Sequence, residues 1–430
     1  MPFDMSSGSS VFKILPTTQQ YDWGKLGKDS KVAEYAKGSA IPGFSVNEDA
    51  PYAELWMGTH SSSPSRVKET GETLGQYLAT HPNLIGTPII QKFDAGNGNI
   101  PFLLKILSIR KALSIQSHPD KATAEVLHAQ QPDVYKDPNH KPEMALAITP
   151  FTALCGFRPL REIADFLQLI PEFKGLFSDE LVDEFIRLAS SDTPNDAEEK
   201  RVLKRLFDAL MNTPPETVQQ RLPNLISRFK NTPPQERQSY DEVAQMMIQL
   251  DEQFPGDIGV YCPIVLNIVQ LEPGQAIFLG ANEPHAYVFG ECVECMANSD
   301  NVIRAGLTPK FRDVHNLVSG LTYVSSPSSR HNVKTNVFRE PSTEASVLYD
   351  PPIPEFSVVR VGLQHAGTEK HPGVDGPSIA IVTEGSGRIL FGEEGLPLSN
   401  GEVVFIGAGS AVDFTADSEG MTVYRAFVEA

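Results

Sequence analysis

Long apolar runs are missing from this 430-residue chain: nothing in it approaches the ~20 consecutive apolar residues that a membrane span requires. The start, MPFDMSSGSS, has neither the basic end nor the apolar stretch of a secretion signal, so a cytosolic protein is expected. Cysteine is scarce, with Cys155, Cys262, Cys292 and Cys295 the only four, which does not make a disulfide framework for a chain this long and fits a reducing compartment. Positive charge is also in deficit. Against 54 acidic residues stand 36 basic ones, for a formal charge of −18, and no broad face can attract a nucleic-acid backbone or an anionic membrane. An anionic small substrate would need a local basic pocket. Low-complexity tracts and long linkers are absent too, while 40% hydrophobic and 21% charged content is ordinary for a globular protein. The length exceeds one core, so two or three domains are expected.

Residues 11 to about 155 read mostly as strands and turns, with a short helix in ETLGQYLATHP (72–82). The run PFLLKILSIRKALSIQSH (101–118) predicts a β-hairpin folded at Arg110–Lys111, whose second arm puts Ser114, Gln116 and His118 on one face by its period of two. Pro119 and Asp120 then open a helix over Lys121 to Gln130. From Pro159 to about Phe254 apolar residues recur at three and four, punctuated by Pro–Pro pairs at 214–215 and 233–234, which predicts an all-helical insertion. Strand signals resume at VYCPIVLNIVQLEPGQAIFLG (260–280), two arms separated by a PG turn. Beyond about 335, short strands alternate with Gly/Pro turns in the manner of a second sandwich or barrel. The expected fold is mainly β with a helical insertion. Its parts are a β-domain in two pieces, 1–157 and 258–335, the helical domain at 158–257, and a second β-domain at 336–430.

The chemistry concentrates in SIQSHPDK (114–121), DPNHKPE (137–143) and PHAY (284–287). Gln116, His118, Glu143 and His285 could together hold one divalent metal ion. Three neutral donors with a single carboxylate leave the site net positive and suit zinc, with room for substrate or water. Ligands at i and i+2 on a strand, then an acidic ligand, then a histidine after a PG turn, follow the ligand logic of a cupin barrel, in which alternate residues point inward. Cupins usually carry His-X-His there; this chain has Gln116. Single histidines are more often ordinary buried residues than ligands, and it is their company that favours ligation. The CVEC run at 292–295 imitates a redox or zinc motif, but residues three apart on a strand face opposite ways and no second pair exists, so packing is the better reading. Trp23 and Trp56 read as core anchors.

The stretches YDWGK (21–25), AELWMGTH (53–60), KALSIQSHPDK (111–121), DPNHKPEMALA (137–147), PHAY (284–287) and ECMANSDNVIRAGLTPK (294–310) closely resemble type I phosphomannose isomerases, in the same order. The resemblance implies that the β-domain in two pieces is a catalytic cupin (jelly-roll barrel) interrupted by the helical domain, that the C-terminal β-domain is cupin-like, and that one zinc sits on Gln116, His118, Glu143 and His285. It also implies a pocket made by Lys105, Ser114, Lys141, Tyr287, Glu294, Asp300, Arg304 and Lys310. The implied activity interconverts mannose 6-phosphate and fructose 6-phosphate through an enediol, at the head of GDP-mannose synthesis. Arg304 and Lys310 would bring positive charge to a sugar phosphate, and Ser114 would bond a phosphate oxygen or hydroxyl. His140, Lys141, Glu294 and Asp300 are all open as the base, with Glu294 and Lys141 favoured. Arg304 is the better electrophile near carbons 1 and 2, because a guanidinium stays charged. The implied partner is a small sugar phosphate, with no nucleic acid and no membrane, in a cytoplasmic monomer. An iron cupin dioxygenase and a non-catalytic sugar-phosphate binder are the rival readings.

Overall fold

A computed structural model describes residues 9–191, 193 and 195–430. Two ten-stranded sheets carry the chain, and a block of helices interrupts the first of them. The first sheet runs Leu266–Leu271, Phe151–Phe157, His285–Ala297, Phe102–Ile109, Glu54–Met57 and Thr17–Gln19 in spatial order, with shorter strands at Ile115–Ser117, Glu143–Ala147, Ala276–Leu279 and Ile303–Gly306 joined to its side. This is the mainly β, cupin-type architecture that the sequence predicts. No helix among the described residues is long and apolar enough to cross a membrane.

The predicted hairpin over 101–118 does not form. Phe102–Ile109 pairs with Glu54–Met57 on one side and with the far half of His285–Ala297 on the other. Ile115–Ser117 meets that same long strand only at its start, where Gln116 faces His285, and pairs otherwise with Ile303–Gly306. The two arms therefore reach the long strand at different places along its length. The apolar pattern fixed which residues point inward but not which neighbour each strand takes, because long-range partners compete with the local turn. The first arm of 260–280 differs too: Ile258–Ile264 is a 3-10 turn, and strand begins at Leu266.

The helical insertion forms as its periodicity requires. Among the described residues, six α-helices between Leu160 and Gln253 bury Phe166, Phe185, Phe207 and Phe229 in a core that continues into Phe157 and Ile303 of the sheet and Leu307 just beyond it. Asp120 caps the helix Lys121–Gln130 by accepting a hydrogen bond from the Thr123 amide at 2.8 Å.

The second sheet is mostly C-terminal, but its strand Val11–Leu15 comes from the other end of the sequence and pairs Val11 with Ile406. Val359, Val382 and Phe414 fill its own interior. Its opposite face, with Ile379, Ile381 and Phe405, joins Ile106, Leu146 and Val293 of the first sheet in one continuous core. Cys292 and Cys295 lie in different cores on opposite faces of their strand, and all four cysteines are buried and free.

Candidate metal centre and active-site cavity

Alternation along the strands of the first sheet builds a layered interior. Leu107, Ala145 and Cys292 form an apolar layer with Tyr287. Two residues along from each of the first three stand Lys105, Glu143 and Glu294, and beyond them Leu103, Met296 and Trp56 close the layer again. Tyr287 and Cys292 have opposite parity yet share a layer, because the ladder to Phe151–Phe157 slips between Phe289 and Tyr287, just before Gly290 at φ +109°.

The charged layer is buried and closely paired. Lys105 lies 3.2 Å from Glu294, 3.7 Å from Glu54, and 4.7 Å above the Trp56 ring. Trp56 Nε1 donates to Glu54. Burial works to strip the charge from Lys105, but Glu54 and Glu294 outweigh it and hold the ammonium above its ordinary pKa. Burial pushes the Glu294 carboxyl up against the pull of Lys105, and the Glu143 charge adds to the rise. Lys105→Met keeps the stem and removes the charge, leaving two buried carboxylates uncompensated. It is expected to destabilise the fold by about 3 kcal/mol, as read by urea denaturation.

Glu143 also belongs to the metal-ligand candidates. One nitrogen or oxygen each from His118, Glu143 and His285 lies within 4.8 Å of the others, and all three residues are buried. His118 Nδ1 is 2.7 Å from the Asn301 carbonyl and His285 Nδ1 is 3.0 Å from that of Glu283. A carbonyl only accepts, so both rings carry a proton on Nδ1, and in the neutral tautomer each turns a bare Nε2 inward. Those Nε2 atoms find no donor; the Glu143 oxygens 3.2 and 3.5 Å away only accept. Burial lowers the His118 pKa to about 4, so its ring stays neutral. Two buried nitrogen lone pairs facing a carboxylate repel unless a cation lies among them, and this nitrogen and oxygen donor set suits zinc.

Around the cluster, Lys141 Nζ is 3.1 Å from Glu143 Oε1 and the Tyr287 hydroxyl 3.4 Å from Oε2. Burial opposes the Glu143 charge, yet Lys141 holds its carboxyl well below the usual range. Gln116, across the ladder from both His285 and Arg304, lines a cavity of about 370 Å³ with Ser114, Arg304, Lys310, Glu54, Tyr21 and Trp23. Arg304 is half-buried, its pKa is lowered by that burial alone, and no ion pair among the described residues engages it or Lys310. Asp300 sits at the rim, 3.3 Å from His60 Nε2, a contact that lowers its pKa.

The structure thus gathers all twelve candidates into one region, while His140 turns away. Its ring meets Glu355 in a separate groove, on the other face of the segment from Lys141. Trp23 packs against the apolar layer of Leu107 and Tyr287 and also lines the cavity. Sequence reasoning missed Glu54, His60, Asn301 and Asp137, whose carboxylate accepts from Ser299 Oγ and the Asp300 amide and so holds the loop beneath His118. For Glu54 a signal existed, since a carboxylate inside the apolar run AELWM must find a buried partner.

A cupin barrel that buries two imidazoles and a carboxylate under a cation-lined cavity is a metal-dependent enzyme of small anionic substrates. Family models agree in all three parts of the chain: phosphomannose isomerase type I, catalytic domain, at residues 11–160, helical insertion domain at 176–266, and C-terminal at 346–394. The chain belongs to the type I phosphomannose isomerase family. It is 44% identical to the mannose-6-phosphate isomerase of Cryptococcus neoformans, covering 98% of this chain and 99% of the relative, and 44% identical to that of Saccharomyces cerevisiae with the same coverage. Among solved structures, a zinc-bound mannose 6-phosphate isomerase matches with a TM-score of 0.80 at 30% identity, and the apo form from Salmonella typhimurium with 0.79 at 29%, each over 98% of this chain and 100% of the other.

Proposed function

We propose that this chain is a zinc-dependent aldose–ketose isomerase that interconverts mannose 6-phosphate and fructose 6-phosphate. What carries the reading is the inward-facing pair of imidazole Nε2 atoms on Glu143 that have no hydrogen-bond partner, beside a cavity whose Arg304 and Lys310 make no ion pair among the described residues. Gln116, His118, Glu143 and His285 would hold the metal. Bound there, zinc supplies Lewis acidity toward the neighbouring oxygens of carbons 1 and 2.

The remaining work falls to the chain. Lys310 and Ser114 take the phosphate, and Asp300, fixed by His60, bonds sugar hydroxyls at the rim. Arg304, opposite Gln116 in the ladder, offers a permanent charge to the oxygen that becomes negative as the proton leaves. Glu294 or Lys141 removes that proton and returns it to the adjacent carbon. Burial raises the Glu294 pKa, which makes its carboxylate a stronger base, and its pair with Lys105 keeps it in place. Tyr287 steadies Glu143.

We further infer a cytoplasmic monomer with one zinc per chain that binds neither nucleic acid nor membrane, in keeping with its acidic balance. A coupled assay tests the central claim by following fructose 6-phosphate formed from mannose 6-phosphate. Conversion should vanish with a chelator and return with zinc. No conversion by zinc-loaded protein refutes the reading.

A further inference from the structure

The helical insertion returns to the sheet through Gln253, Phe254 and Asp257, and all three bear on the cavity wall. Gln253 Oε1 accepts the Ala112 amide at 2.8 Å, holding the turn that leads to Ser114. Phe254 lines the cavity, with Lys111 Nζ 4.5 Å from its ring centre. Asp257 makes the largest set of contacts. Its Oδ1 accepts the Gly259 amide at 2.7 Å and the Leu307 amide at 2.8 Å, and its Oδ2 accepts the Thr308 amide at 3.1 Å.

Leu307 and Thr308 also line the cavity and lead directly into Lys310. Leu307 has φ +55°, a left-handed conformation that a leucine adopts only when its surroundings impose it. The carboxylate reaches these amides because the two backbones meet glycine to glycine. A Cβ on Gly259 would stand 2.7 Å from the Leu307 nitrogen, and one on Gly306 would stand 2.7 Å from the Gly259 Cα. Asp257 thus bonds three donors with one charge, in a segment that otherwise has no strand or helix to hold it.

We propose that Asp257 is a positioning residue for substrate binding: its carboxylate, supplied by the end of the helical insertion, fixes Leu307–Lys310 so that Lys310 meets the substrate's phosphate. The inference rests on Lys310 being the phosphate group's partner. It gives the helical insertion a role at the site without placing any of its side chains on the reacting atoms.

The test compares Asp257→Ala, Asp257→Asn and Lys310→Ala in the full-length zinc enzyme. Its readouts are KM for mannose 6-phosphate, kcat, Ki for inorganic phosphate, zinc content, and hydrogen exchange at the Leu307 and Thr308 amides. Asp257→Ala should raise KM and Ki together by about tenfold, the effect of losing a charge-assisted hydrogen-bond set. kcat should stay within about twofold, zinc content should not change, and the two amides should exchange faster. Asp257→Asn keeps one acceptor oxygen and should fall between, which also carries the test if the alanine variant does not fold. Unchanged KM and Ki in the folded Asp257 variants overturn the proposal, as does a kcat loss equal to or larger than the KM change. Wild-type KM and Ki in Lys310→Ala remove Lys310 as the phosphate's partner and with it the proposal as stated, whereas raised values there with unchanged Asp257 variants overturn the positioning role alone.

Discussion

Replacing His118 or His285 by alanine is expected to leave a folded protein that no longer retains zinc, with kcat/KM lowered by at least about a thousandfold. The loss is large because each ring has one task. Its outer nitrogen is committed to a backbone carbonyl, Asn301 for His118 and Glu283 for His285, and its inner nitrogen has no protein donor to lose. Removing one ring therefore breaks a single outward hydrogen bond and relieves a repulsion with Glu143, while Lys141 still neutralises that carboxylate. Stability without metal should change little. Zinc should raise the melting temperature of the wild-type chain, since a ligand that binds only the native state stabilises it, and should fail to raise that of either variant. Zinc content by atomic emission, the coupled rate and melting curves with and without chelator check each part. A variant that keeps stoichiometric zinc and near wild-type rate removes that histidine from the ligand set.

Arg304→Ala is expected to lower kcat by about a hundredfold to a thousandfold with zinc content unchanged, in the range found when one donor to a developing negative charge is lost. Arg304 is half-buried without an ion-pair partner among the described residues, and its guanidinium costs the fold free energy that only a substrate's charge offsets. The alanine variant should therefore be at least as stable as the parent while far less active, the opposite of what a structural arginine would give. Arg304→Lys should recover little, because an ammonium cannot reproduce the planar fork. A wild-type rate in Arg304→Ala refutes the role.

Much of the metal centre was legible because its residues lie close in sequence or follow a turn signal. Gln116 and His118 are two apart on a strand and its continuation, and Lys141 and Glu143 are two apart entering another. That spacing suffices to put each pair on one side. The layer of Lys105, Glu54 and Glu294 was harder to read as a unit, since it depends on which strands are neighbours, and 101–118 looks like a hairpin until its partners are known. The slip in the ladder before Gly290 reverses the parity of everything after it, so counting in twos from His285 would send Glu294 to the wrong face. His140 was a fair candidate on chemistry, but alternation beside Lys141 turns it away. For Asp257 the local partner, the Gly259 amide, says nothing of the site: the partners that matter, at 307 and 308, are distant in sequence and are backbone amides, which every residue but proline carries.

The strand Val11–Leu15 has a consequence for how the molecule is made. It is synthesised long before its hydrogen-bonded neighbour, with Val11 opposite Ile406. During translation one edge of that strand can pair with Arg66–Val67, while the other has no partner until Val403–Ile406 has been made, and the second sheet stays open until then. Closure is therefore a late, long-range event with high contact order, and the open strand is a point of self-association for the growing chain. Deleting the segment up to Leu15 should harm the C-terminal sheet more than the metal centre, although the segment lies far from most of that sheet's other strands in sequence.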